Sequence, residues 1–164
     1  LRTLISGLYP VQYERRASKI AKARIADMGG IPKTADDSHK RALFKKEYET
    51  AAIEQFNTLP KMLKKNGYVS HQSGKWWEQS YRHGGFTYGM TDGWSWEDLV
   101  EQGDSGFFTQ MGGWGNSIGR TTMTPIDEFL RENAHRPFFL WFGPSLPHSP
   151  LNPPHRFYKY FEFR

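Results

Sequence analysis

Phe138-Phe139-Leu140-Trp141-Phe142 is an unbroken apolar run enclosed by Pro137 and Gly143. A run of that length between two breakers predicts a strand buried on both faces. Just before it, Thr124 can cap a helix that starts at Pro125, keeps Ile126, Phe129 and Leu130 on one face, and ends near Asn133 to His135. The same order occurs earlier. Thr58 can cap, Pro60 suits a first helical turn, Leu59, Met62 and Leu63 form the buried side, Gly67 closes the helix, and Tyr68 to Ser73 can follow as a short strand. Helix, short turn and strand repeated in this way predict an α/β fold, a mostly parallel sheet with helices on its faces.

Ligands of such sheets gather beyond the carboxyl ends of the strands. The polar residues that follow the two strands are therefore expected to approach one site: Gly74 and Lys75 after the first, Pro144, Pro147 and His148 after the second. A lysine and a histidine brought together there suit an anionic substrate. Each taken alone is an ordinary surface residue, and only the shared setting singles the pair out.

Two further helices are expected. Tyr13, Ala17, Ile20, Ala21, Ile25 and Met28 keep helical spacing up to Gly29, Gly30 and Pro32, and a stripe from Leu43 to Phe56 marks a helix over about Lys40 to Phe56. Their many Lys and Arg residues read as a solvated outer face. Residues 74–120, rich in Gly, Trp, Asp and Ser, show no clear period and read as long loops with short structured pieces.

The chain has 164 residues, enough for one domain or a piece of one, and its 6 Trp, 8 Tyr and 12 Phe supply ample apolar surface. A net charge of +5 favours anionic partners without choosing among them. Cysteine is absent, which excludes disulfides, thiolate metal ligands and a cysteine nucleophile within these residues. No apolar run is long enough to cross a bilayer. Asp36-Asp37 precedes a helical pattern and reads as a cap; His39, His83, His135 and His155 lack metal-ligand spacing, and His71 reads as a packed or hydrogen-bonded core residue. Trp76, Trp77, Tyr81, Phe86 and Tyr88 either line a sugar-binding cleft or, the commoner reason, pack between loops and sheet. Gly112-Gly113-Trp114-Gly115 lacks the lysine of a phosphate loop.

Three ordered segments resemble the sulfatase family. Leu4-Ile5-Ser6-Gly7-Leu8-Tyr9-Pro10 is similar to the stretch that follows the family's nucleophile motif, Leu59-Pro60 through Gly74-Lys75-Trp76 to its Gly-Lys-Trp segment, and Arg136 to Phe142 followed by Pro147-His148-Ser149-Pro150 to its apolar strand and Pro-His-x-Pro turn. The resemblance implies a partial alkaline-phosphatase-like α/β/α sandwich over residues 1–164, with 11–57 as a helical insertion or replacement. It also implies hydrolysis of sulfate esters, arylsulfatase-like, by a formylglycine nucleophile missing from this chain. Calcium is expected in the intact parent, with no metal ligand assigned here. Lys75 and His148 are the implied catalytic and substrate-binding residues, and Trp77 the implied substrate-binding residue standing where many relatives carry a second histidine. The implied partner is a sulfate ester, including sulfated carbohydrate, with neither nucleic acid nor membrane expected, and the intact parent is expected in the periplasm or secreted. A phosphoester or phosphonate hydrolase of the same superfamily, or a noncatalytic polyanion-binding remnant, are the alternatives.

Overall fold

The computed structural model describes residues 2–103, 113–147 and 155–160. A short helix α1 (Arg2–Ser6) leads through Gly7 into α2 (Pro10–Asp27), which starts one turn earlier than its apolar stripe because Pro10 occupies the first turn. Helix α3 (Ser38–Ala51) begins at Asp37, whose carboxylate accepts from the Lys40 N–H at 2.8 Å, and continues into a 3-10 turn, Ala52–Gln55. Then come α4 (Leu59–Lys64) and the first strand, β1 (Val69–Gly74).

The stretch read as long loops with short structured pieces contains further short elements among the described residues. Helix α5 (Tyr81–Gly84) and the two-residue strand β2 (Tyr88–Gly89) are followed by α6 (Trp96–Gln102), whose start carries a reciprocal cap between Ser95 and Asp98. After a 3-10 turn at Gly113–Ser117 come α7 (Thr124–Asn133) and β3 (Phe138–Gly143). Thr58 stands at the N-cap of α4 but its hydroxyl donates instead to the Gly84 carbonyl at 2.6 Å, tying α4 to α5 from a fully buried position.

The strand pairings among the described residues are parallel, in the order β2-β1-β3, with Val69 opposite Phe138 and Gly74 opposite Gly143. Helices cover both faces, which makes this a partial α/β fold, in keeping with the alkaline-phosphatase-like type that the resemblance implies. On one face Phe139 and Trp141 pack against Ile5, Tyr13, Ile53, Phe56, Trp76 and Phe86. On the other, Leu140 joins Met90, Ile118, Ile126 and Leu130. Each such side chain contributes roughly 1.5–3 kcal/mol when fully buried.

One expectation is overturned here. The apolar run does form a strand, but β3 is not buried on both faces: Phe138 is 37% and Phe142 49% exposed. It flanks the sheet among the described residues, and α7, with ten residues, covers only part of that face, Phe129 meeting Phe138 edge-on at 5.8 Å. The polar strand β1, Val-Ser-His-Gln-Ser-Gly, is instead the central and buried one.

Candidate functional site

Lys75 leaves β1 at its carboxyl end, and two glycines make the exit possible. Gly74 has φ +75°, and a Cβ there would stand 1.9 Å from the Gly143 carbonyl oxygen. A Cβ on Gly115 would stand 2.6 Å from the Gly74 oxygen. Only residues without a side chain allow these backbones to close on one another. The Lys75 N–H then donates to the Gly143 oxygen at 2.6 Å, and the Lys75 carbonyl accepts from the Trp141 indole at 3.1 Å. The two strand ends are thus joined at the lysine. Gly115, dismissed as part of a phosphate loop, has this close approach as its purpose.

The Lys75 side chain is half-buried and, among the described residues, its ammonium has no hydrogen-bonding or ionic partner. The loop that leaves β3 runs from the same end of the sheet through a buried Ser145 to Pro147. His148 lies outside the described residues. Trp77 is 41% exposed, beside the lysine in sequence, whereas Trp76 is buried and donates its indole N–H to the Ser80 carbonyl at 3.2 Å. Of the remaining aromatics, Phe86 is buried edge-on against Trp76, Tyr81 lies under the Arg82 guanidinium, and Tyr88 is exposed. Packing thus accounts for Trp76 and Phe86.

The loop after Lys75 is held by an acidic residue to which the sequence reading gave no role. Glu78 is 1% exposed; its Oε1 meets the Arg2 Nε at 2.6 Å and its Oε2 accepts from the Tyr13 hydroxyl at 2.9 Å. Burial, then the Glu78 charge and hydrogen bond, push the Tyr13 phenol far above its ordinary value, against the opposing pull of Arg2. Burial works against the Arg2 cation, but the charge and hydrogen bond of Glu78, together with Tyr13 and Glu14, raise the guanidinium's pKa. An acidic residue in a Gly- and Trp-rich loop carries no sign that it will be buried.

Gln72 does similar work at the end of β1. Its Oε1 accepts from the Met90 and Thr91 N–H groups at 3.3 and 3.1 Å, and its Nε2 donates to the Gly74 carbonyl at 2.9 Å. Gln79, which follows Glu78 in sequence, holds a φ of +60° and accepts from the Trp94 N–H at 3.0 Å.

His71 is packed against Phe129, ring centroids 5.1 Å apart, and neither ring nitrogen has a hydrogen-bonding partner. His83 pairs with the Ser80 hydroxyl at 2.7 Å, and His39, His135 and His155 are exposed. Asp36 and Asp37 serve Lys40 and the start of α3. Among the described residues no group of three or more His, Asp or Glu side chains is placed to hold a metal ion, so they do not by themselves fit a metal centre. No helix among them is long and apolar enough to cross a membrane.

The family model described as Sulfatase matches residues 33–164. That span includes the Gly74-Lys75-Trp76 segment and β3 with the residues after it, and leaves out Leu4 to Pro10. No curated protein and no solved structure gives a significant match.

Proposed function

The chain belongs to the sulfatase family, and from that membership we propose that it forms part of the catalytic domain of an arylsulfatase-like sulfuric ester hydrolase in which Lys75 binds the sulfate group. The observation that carries the proposal is the presentation of Lys75. A cation without a partner among the described residues stands at the carboxyl end of the central strand, its backbone hydrogen-bonded to the end of the next.

Sulfuryl transfer spreads negative charge over the peripheral oxygens and the leaving oxygen, and a fixed ammonium that needs no reorientation stabilises the former. His148, which follows β3 in sequence, would donate a proton to the departing alcohol oxygen as the ester S–O bond breaks and its electron pair passes to that oxygen. Trp77, two residues after the lysine in sequence, offers an exposed ring for the alcohol part of the ester, including a sugar. The family's formylglycine hydrate would supply the attacking oxygen. The family generally uses a metal ion; that it is calcium here belongs to the same proposal, with ligands from outside the described residues. Residues 11–57, folded as α2, α3 and the turn after them, are part of this proposal as a helical insertion or replacement.

Lys75→Ala, made in the polypeptide that carries this segment together with its nucleophile, is expected to lower kcat for an aryl sulfate by on the order of a hundredfold. Unchanged turnover would remove Lys75 from the site. A polyanion-binding reading draws on Arg15, Arg16, Lys19 and Lys22, exposed on α2 without ion pairs among the described residues. Steeply salt-dependent binding without turnover would select it.

A further inference from the structure

The Glu78 carboxylate is a charge taken out of water in a loop that could have been filled more simply. A buried ion pair gives little net stability over apolar residues of the same size, because desolvation of both partners offsets their attraction. What it does give is direction: two short bonds to one carboxylate fix three chain segments against one another. Those segments are not arbitrary. Glu78 follows Lys75 by three positions, and between them Trp76 is buried and bonded to the Ser80 carbonyl, so the stretch from Lys75 to Ser80 is a braced unit. Arg2 opens α1, directly before Leu4 to Pro10, the segment that resembles the continuation of the nucleophile motif. Tyr13 lies on α2 and is itself held by stacking on Phe56, ring centroids 4.7 Å apart. The Arg2 guanidinium lies 5.3 Å from the Tyr13 ring centroid, so each partner of Glu78 also touches the other. Arg2 is the solvent-facing member, at the edge of a cleft of about 300 Å³ shared with Tyr13, Glu14 and Ser18.

We propose that Glu78 is a positioning residue, whose carboxylate registers α1, and with it the end of the nucleophile segment, against the loop that presents Lys75. The inference rests on the sulfatase reading above and adds to it the group that sets the distance between nucleophile and sulfate-binding cation. Reacting groups displaced by about 1 Å lose on the order of a hundredfold in rate. A clamp that holds both elements therefore acts on kcat and leaves substrate affinity nearly untouched.

The test measures kcat and KM for an aryl sulfate, per folded molecule, in the polypeptide carrying this segment and its nucleophile. Glu78→Gln and Arg2→Ala should each lower kcat about tenfold or more, with KM changed by less than about twofold. The pair of substitutions together should cost no more than the worse single one, because both break one contact. Arg2→Lys, which keeps a cation within reach, should recover at least about half of the lost rate. If Glu78→Gln does not fold, Tyr13→Phe removes one bond and leaves the ion pair, and should still reduce kcat about threefold or more. Unchanged kcat in the folded variants, or single losses that multiply in the double variant, would overturn the proposal. Lys75→Ala run alongside separates the two ideas: no turnover of aryl sulfate by the unsubstituted polypeptide defeats the sulfatase reading, full turnover in Lys75→Ala removes the lysine whose placement the clamp is meant to set, and a large loss there with an unaffected Glu78→Gln defeats only the clamp.

Discussion

Replacing Gly74 by alanine isolates the geometry that delivers Lys75. Two penalties combine at this position. An L-residue at φ +75° costs about 1–2 kcal/mol in the left-handed region. The new Cβ would also stand 1.9 Å from the Gly143 oxygen and 2.3 Å from its carbonyl carbon, far inside contact distance, so the ends of β1 and β3 must separate. Separation breaks the 2.6 Å bond from the Lys75 N–H, a net loss of about 1 kcal/mol, with a further 1–3 kcal/mol, roughly, for a polar group left buried and unpaired. The expected total is about 3–6 kcal/mol. Gly67 is the control. Its φ is +80° and a Cβ there meets nothing within 4 Å, so Gly67→Ala carries the conformational penalty alone, about 1–2 kcal/mol. Urea unfolding of the two variants with unchanged m-values gives the comparison directly. Equal losses would refute the idea that close approach of the two strand ends, and not the backbone angle, makes Gly74 necessary.

Burial holds the His71 imidazole below its ordinary pKa, so the unfolded chain takes up the proton first. Its contribution to stability is complete above about pH 6.5 and declines as pH falls from there toward the depressed native value, by at most about 1.4 kcal/mol per pH unit. His71→Phe should remove that part of the acid sensitivity; an unchanged slope would assign it elsewhere, with His83, also lowered by burial, as the next residue to change. Thr58→Val keeps the shape of a fully buried side chain and deletes its 2.6 Å bond to the Gly84 carbonyl, for an expected loss of about 1–3 kcal/mol in chemical denaturation. A loss below about 0.5 kcal/mol would show that this bond does not tie α4 to α5.

Periodicity made α2, α3, α4 and α7 legible in the sequence, because each carries enough turns for its apolar stripe to repeat or has a proline and a glycine at its ends. Helix α6 was missed although its signal was present: Ser95 and Asp98 form a capping box, with Trp96 and Leu99 buried behind it. Seven residues are too few for a period to stand out among the neighbouring glycines and tryptophans. Lys75 could be placed from local order alone, since whatever follows a parallel strand lies at its carboxyl end. Glu78 could not, because its partners are 76 and 65 positions away and nothing local distinguishes it from a solvated loop carboxylate.

The reversal between β1 and β3 follows from what each strand is asked to hold. Hydrophobicity ranks β3 as the buried strand, and it contributes packing: Phe139 and Trp141 to one helical layer, Leu140 to the other. The polar side chains of β1 are buried without a large penalty where each has a partner, since a buried polar group is costly chiefly when unpaired. Ser70 and Thr87 exchange bonds at 3.1 Å, Ser73 donates to the Trp141 carbonyl at 2.7 Å, and Gln72 reaches Met90, Thr91 and Gly74. These partners belong to the neighbouring strand, to the segments around β2, and to the exit toward Lys75. A central strand of valines and isoleucines would bury more apolar area but could not bond to returning loops, which have no ladder of their own to hold them. The polar composition of β1 therefore immobilises the backbone around Lys75 from below, the support that a site built on a strand end requires if its cation is to be fixed before substrate arrives.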